Sequence, residues 1–567
     1  MIELQLDESI YNASILGLCR VFDYAKLEYS KSDYQTISFP ESNLANFEEH
    51  YFAYLSAQYG HETNYYKMTN PTIVEFLLRA KTDIGDEKNL ERLNAHIEKV
   101  KYWLSSNSYK NVYPFLSAIP FDFLEAAKSL KKVTQRKKET LEQIQPQIGD
   151  AVDALLQIVE HLKHKDAKRF IIPRVLTYQV IQGFWSNVSF LNSNASKKDL
   201  YEEYFNYFIK PAQDFLTSKK DEKKYGKNKL TCACCDNKMK SISEAFDLTW
   251  VQNLGVDGAR KSSHYWNHQR NLFICPICNI VYSCLPLGFT LKNGIGLFIN
   301  SNQSIVELLA YNKIQLRNDR GEEYTRDKLE EMAYSKIINE MYQHAENKKN
   351  VEIDNIQIVK YDKNNESRPY TFNMLSRDKA QQLYDSRNDF HYLTGKFVKE
   401  NGDYISLYQE VIRRFYNGQR FSDLLYRLIR LVIDDKYADT FSIYKILKIS
   451  NYALNGGSHY MTDKELRSIR ISGYELRKVY RGQETKLNAI SHRLLNALKV
   501  KNPNKFMETI VQAYSYKRHE KLGIPLFFTT TLSDIEKFQT IGYAFLIGLN
   551  GKDFEKEDMA KEEQVNE

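Results

Sequence analysis

Two C-x-x-C elements, Cys232-Ala-Cys234-Cys235 and Cys275-Pro276-Ile277-Cys278, lie 39 residues apart in this chain and constrain it more than any other feature. A C-x-x-C turn lets two sulfurs face one ion, and two such turns supply the four ligands of a tetrahedral zinc site. Of the seven cysteines in 567 residues, six fall between positions 232 and 284. Chance does not readily produce that concentration, and a structural metal is favoured over reduced core thiols or disulfides. The expected cofactor is therefore a structural zinc ion held by Cys232, Cys235, Cys275 and Cys278. Cys234, Cys284, His264 and His268 are spare donors in the same stretch.

The length suits two to four domains, each able to bury a core. With 43% hydrophobic and 27% charged residues the composition is that of a soluble globular protein. The longest apolar run, 541–549, is half the ~20 residues a membrane helix needs. Met1-Ile-Glu-Leu-Gln-Leu6 has no basic and apolar signal-peptide regions. With free thiols, these features predict a cytoplasmic protein with no membrane partner. A net charge of +7 and a pI of about 8.6 lean mildly towards polyanions.

The periodicity predicts an α+β chain that is predominantly helical. It comprises an N-terminal α/β domain with an embedded zinc-knuckle module and a C-terminal helical bundle. Residues 1–230 read as mostly helical with short strands at 2–6 and 34–39, Asp7 or Ser9 capping the first helix. Residues 231–300 are the zinc module. After Cys278 the pattern reads as strand-like, and Asn293-Gly294 between apolar runs predicts a hairpin, because both residues tolerate positive φ. Residues 301–402 complete the N-terminal domain, with helices near 304–312 and 322–346 and strands at 351–361 and 370–374. A boundary is expected at Lys399-Glu-Asn-Gly402. Residues 403–567 form the bundle, ending in an acidic tail.

Candidate nucleic-acid contacts follow from the distribution of charge. Between 219 and 240 there are eight lysines against three acids, and Lys219, Lys220, Lys223, Lys224, Lys227 and Lys229 read as an exposed loop before the first knuckle. Arg413, Arg414, Arg420, Arg427 and Arg430 recur at helical spacing with Asp423 for balance, and Arg470, Arg477 and Arg481 continue the pattern. Such cations give phosphate affinity without sequence readout.

The sequence has no phosphate-binding loop and no nucleophile elbow, so a non-enzymatic binding role is expected. The enzymatic alternative is an HNH-type endonuclease, whose metal unit is often held by two C-x-x-C pairs. In that family the general-base histidine follows Asp, Glu or His, whereas His264 follows Ser263 and His268 follows Asn267.

The run Cys275-Pro-Ile-Cys278-Asn-Ile-Val-Tyr282-Ser-Cys284-Leu-Pro286-Leu-Gly288-Phe289, followed by Gly296-Leu-Phe-Ile-Asn300, resembles the CXXC–CXXC family of CRISPR-associated proteins, large subunits of type I-B Cascade. Asn12-Ala-Ser-Ile-Leu-Gly17-Leu18 and Ile541-Gly-Tyr-Ala-Phe-Leu-Ile-Gly-Leu549 are similar to the family as well. The resemblance implies a role in antiviral defence without bond cleavage. Its expected partners are guide RNA, held at the 5′ end with the Cascade backbone and guide-5′-end subunits, and double-stranded target DNA with its displaced strand. The protospacer-adjacent motif would be read on that DNA, and a helicase-nuclease or transposition machinery would dock afterwards. It also implies a small subunit from the same gene, residues 461–567, started at Met461.

Overall fold

The computed structural model describes residues 1–31, 35–136, 139–219, 230–252, 273–292, 294–313, 356–365, 369–400, 402–453, 461–515, 523–528 and 535–551. The chain is predominantly helical with several small sheets, the α+β class its periodicity predicts. It gathers into two compact units, Met1–Ala310 with Ile358–Phe372, and Tyr311–Gln357 with Asn373–Glu567.

In the first unit, strand Ile2–Gln5 pairs antiparallel with Thr36–Phe39, and between them runs helix Ser9–Ala25. Glu8 occupies its N-cap without a side-chain capping bond. Asp7, one of the two expected caps, instead donates its backbone N–H to Asn12. The helix is buried on nearly every face over its first fourteen residues, which makes it a core element rather than an amphipathic surface helix.

A helical layer follows, its ends fixed by local chemistry. Asn70 caps Pro71–Thr82 through the Ile73 amide with Pro at the first turn. Asp86 caps Glu87–Leu104, and Thr140 with Gln143 forms a capping box on Leu141–Leu162. Leu77, Leu93, Leu104, Ile148 and Leu162 pack these helices into one apolar core. Phe184, Trp185 and Phe190 are buried in the core, Trp185 fully.

The segment after Cys278 departs from the strand-like expectation. Pro276–Ser283 is a helix with Cys275 at its N-cap and Pro276 in the first turn, followed by a helical turn Leu285–Gly288. Proline at the start of a helix loses no hydrogen bond. An apolar run buried on all sides carries no period that separates helix from strand. The hairpin appears as expected: Thr290–Lys292 pairs antiparallel with Ile295–Asn300, and Gly294 takes φ +78° in the turn. Strands Ile356–Asp362 and Tyr370–Leu375 extend it to four strands in sequence order. The helix expected at 322–346 lies outside the described residues.

The two units cut the chain differently from the four expected segments. Lys399 and Glu400 at the expected boundary belong to a β-hairpin, Phe397–Glu400 against Asp403–Ser406, tied to the helices that follow by the Arg427–Glu400 and Lys396–Asp439 ion pairs. Beyond it, helices Leu407–Tyr416, Ser422–Ile433, Thr440–Ala453, Asp463–Val479, Glu484–Lys499, Pro503–Ser515 and Ile535–Asn550 form the second unit's core. The tightest crossing there is between Asp463–Val479 and Ile535–Asn550. A Cβ on Gly473 would lie 2.1 Å from the Phe545 carbonyl oxygen, and one on Gly548 1.9 Å from that of Arg470.

Candidate metal centre and basic surfaces

The first knuckle is the loop of a short hairpin, Leu230–Thr231 against Lys238–Met239. The Cys232 amide donates to the Asn237 carbonyl and the Asp236 amide to the Cys232 carbonyl. Asp236 accepts the left-handed φ of +55° that closes the loop, a conformation its short polar side chain tolerates. The second knuckle enters through Ile274, whose amide and carbonyl pair with Phe246, and turns into the helix at Cys275.

These two turns bring the sulfurs of Cys232, Cys235, Cys275 and Cys278 within 4.8 Å of one another, Cys235 and Cys275 being 3.5 Å apart. Four sulfurs at ~2.3 Å from a common zinc would sit roughly 3.8 Å apart, so the set fits that ion. The surroundings fit thiolates as well. The Cys275 amide donates to the Cys232 sulfur at 3.2 Å, the Asn237 amide group to the Cys235 sulfur at 3.1 Å, and Tyr11 shares a 3.2 Å contact with Cys278. Without a cation the four groups cannot ionise together. Bonds from the other thiols hold Cys232 low, the hydrogen bonds to Cys232 and Cys235 raise Cys275, and burial raises Cys278. A divalent ion removes that conflict. Cys232, Cys275 and Cys278 are buried and Cys235 is half-buried.

Neither spare cysteine is among the four. Cys234 is half-buried, its sulfur 3.7 Å from the Tyr282 hydroxyl. Cys284 is fully buried, its thiol pushed up by burial. His264 and His268 lie outside the described residues.

The centre is embedded in the core, and much of what holds it comes from far away in sequence. A Cβ on Gly17 would lie 2.1 Å from the Cys284 carbonyl oxygen, and one on Gly288 1.8 Å from that of Ala13. Only two glycines let helix Ser9–Ala25 come so close to the segment that follows Cys278. Arg20 donates to the Leu287 and Gly288 carbonyls, Asn12 to Asn300 at 3.0 Å, Tyr51 to the Ser283 carbonyl and Tyr59 to that of Phe289. Tyr11, Arg20 and Asn237 were not singled out by sequence reasoning, and Asn12 only as part of a stretch that resembles a family. Asn237 alone carried a local signal, two residues after a ligand.

The basic residues divide. Lys219 is exposed and donates to Asn237 at 2.6 Å, beside the knuckle; Lys220, Lys223, Lys224, Lys227 and Lys229 lie outside the described residues. Arg414 and Arg470 are core residues, 7% and 6% exposed. Arg414 sits between Glu410 and Asp423, and the guanidinium of Arg470 lies over the Tyr444 and Phe441 rings. Arg413 pairs with Glu410, Arg427 with Glu400 and Arg430 with Asp434, so Asp423 is not their only balance. Arg477 is half-buried and donates to the Leu549 carbonyl, while Arg420 and Arg481 are exposed.

Residues 225–290 match the model of a family of CRISPR-associated proteins, Cas_CXXC_CXXC. The match spans both knuckles and the helix that leaves the second, and ends just past Gly288. Comparison with curated proteins and with solved structures returned no match. Among the described residues no helix is long and apolar enough to cross a membrane.

Proposed function

We propose that the chain is the large subunit of a type I-B CRISPR interference complex, and that it binds nucleic acid without cleaving it. The observation that carries this reading is the match to a CRISPR-associated family at the segment where four cysteine sulfurs converge. In this reading the subunit holds the 5′ end of the guide RNA together with neighbouring subunits. It tests the protospacer-adjacent motif on duplex DNA, helps to open the duplex, and offers a docking surface to a helicase-nuclease. Base pairing by the guide supplies sequence specificity, and the protein reads only the adjacent motif and helix shape.

The closed ligand set supports a scaffolding role. A catalytic zinc keeps one coordination position for water or substrate, whereas four cysteine sulfurs fill a tetrahedral shell. Zinc there would supply folding energy, joining the knuckle hairpin to the buried helix Pro276–Ser283. Phosphate attraction in this reading comes from Lys219 and the exposed arginines, Arg414 and Arg470 excepted. A separate small subunit begun at Met461 would carry helices Asp463–Val479, Glu484–Lys499, Pro503–Ser515 and Ile535–Asn550, which pack on one another and also on Ser422–Ile433 and Thr440–Ala453 before that start.

Incubating the purified chain with supercoiled plasmid and Mg²⁺ or Mn²⁺ tests the reading. Retarded but intact plasmid is expected. Cleavage that disappears in His264→Ala would replace this reading with the HNH-type endonuclease.

A further inference from the structure

The hairpin Phe397–Glu400/Asp403–Ser406 is a two-stranded sheet with one face anchored and one bare. In its register Phe397 opposes Ser406, Val398 opposes Ile405, and Lys399 opposes Tyr404. Opposed residues share a face, so Val398 and Ile405 point one way and Phe397, Lys399 and Tyr404 the other. Val398 is buried at 3%. The Glu400–Arg427 ion pair, the Lys396–Asp439 ion pair at 3.1 Å and the Leu407 amide on the Lys396 carbonyl hold the hairpin to its own unit. On the outer face Phe397 is 52% and Tyr404 72% exposed.

Isolated exposed aromatics are ordinary. Here two of them stand diagonally across one small sheet, roughly 7 Å apart, with a lysine directly opposite one ring. The Lys399 ammonium lies 5.6 Å from the Tyr404 ring centroid, and among the described residues it forms no ion pair. A rigid platform of ring, cation and ring is complementary to unstacked bases joined by phosphate. Bases stack on aromatic faces while the ammonium takes the backbone charge. Bases inside a duplex do not present their faces, which directs the site to single strands.

We propose that this hairpin face is a stacking platform for single-stranded nucleic acid, Tyr404 and Phe397 each taking a base and Lys399 the phosphate between them. The proposal rests on the nucleic-acid-binding reading above and gives that reading a place on the second unit. The test uses the full chain with labelled 20-nucleotide DNA and RNA single strands and a matching duplex, across a salt series. Tyr404→Ala should weaken single-strand binding about 5- to 100-fold with the salt slope unchanged. Lys399→Ala should reduce the slope by about 0.7, and Tyr404→Phe should bind as the parent does. In parallel, light-induced cross-linking of an iodouridine-bearing strand should map to the peptide containing Phe397 or Tyr404. The two DNA and RNA arms show which strand the platform prefers. A parent chain that binds single strands while Tyr404→Ala and Phe397→Ala bind equally well would overturn the platform alone. A parent chain that binds no nucleic acid would overturn both it and the reading on which it rests.

Discussion

Gly288→Ala should be among the most damaging single-methyl changes in the first unit. The added Cβ would lie 1.8 Å from the Ala13 carbonyl oxygen and 2.6 Å from its carbon. A carbon–oxygen contact settles at about 3.3 Å, so the two backbones must part by about 1.5 Å, and neither side is a flexible side chain that could turn away. The helix that must move also carries Tyr11 against Cys278 and Asn12 against Asn300, so the shift loosens the metal centre too. Overpacking of this kind costs about 3 kcal/mol, or roughly 6–12 °C in melting temperature. Thermal melts with zinc measured in the folded fraction give the readout. Gly149→Ala is the control: a Cβ there meets nothing within 4 Å, in the interior of helix Leu141–Leu162, and should stabilise by about 0.5–1 kcal/mol. Gly288→Ala melting with the parent and keeping its zinc would refute the close approach.

Cys275→Ser, or treatment with a strong chelator, should remove zinc and expose the first unit to protease, since metal binding there is folding free energy; undiminished zinc per chain in Cys275→Ser would contradict the ligand assignment. Burial, reinforced by the charge of Asp7 and opposed by a bond from Tyr282, pushes the Glu8 carboxyl up to about 7. The stability it contributes is therefore full below about pH 4.5 and lost as pH rises through about 7. Glu8→Gln should gain about 3 kcal/mol on the parent between pH 5 and 8 in urea melts, and a constant difference would sink that account. Arg414→Ala should destabilise by about 1–3 kcal/mol, through lost buried packing and the lost Asp423 bridge while Glu410 keeps Arg413, without changing the salt dependence of DNA binding, whereas exposed Arg430→Ala should lower the salt slope by about one; the reverse pattern would restore Arg414 to the binding surface. Replacing Met461 by a non-start codon should remove a short C-terminal product from the purified complex, and its persistence would exclude that start.

Much of this architecture was legible where the signal is local. The two C-x-x-C pairs pointed to the four cysteines that converge, Asn293-Gly294 to the hairpin, and caps such as Asn70-Pro71 to the helix starts. Pro276–Ser283 was misread because a segment buried on every side has no polar face to set its period. Two arginines were placed on the surface by charge alone. Arg470 stands one turn from buried Leu466 and Gly473, and Arg414 one turn from buried Val411, so spacing weighed against residue type would have placed both in the core. The contacts of Tyr11, Gly17 and Arg20 with the metal stretch span about 270 residues, and nothing local encodes them. Gly17 and Gly288 stood in stretches that resemble a family, and the structure supplies the physical reason for both: backbone approach that no larger residue permits.

The central claim is that this chain works in a guide-RNA-bearing complex, and the RNA it carries is its most direct witness. A tagged chain purified from its own cells, its bound RNA sequenced, should yield guide RNAs that share one repeat-derived 5′ end and differ in their spacers. Preparations with no enriched RNA, or with RNA unrelated to a CRISPR array, would contradict the account.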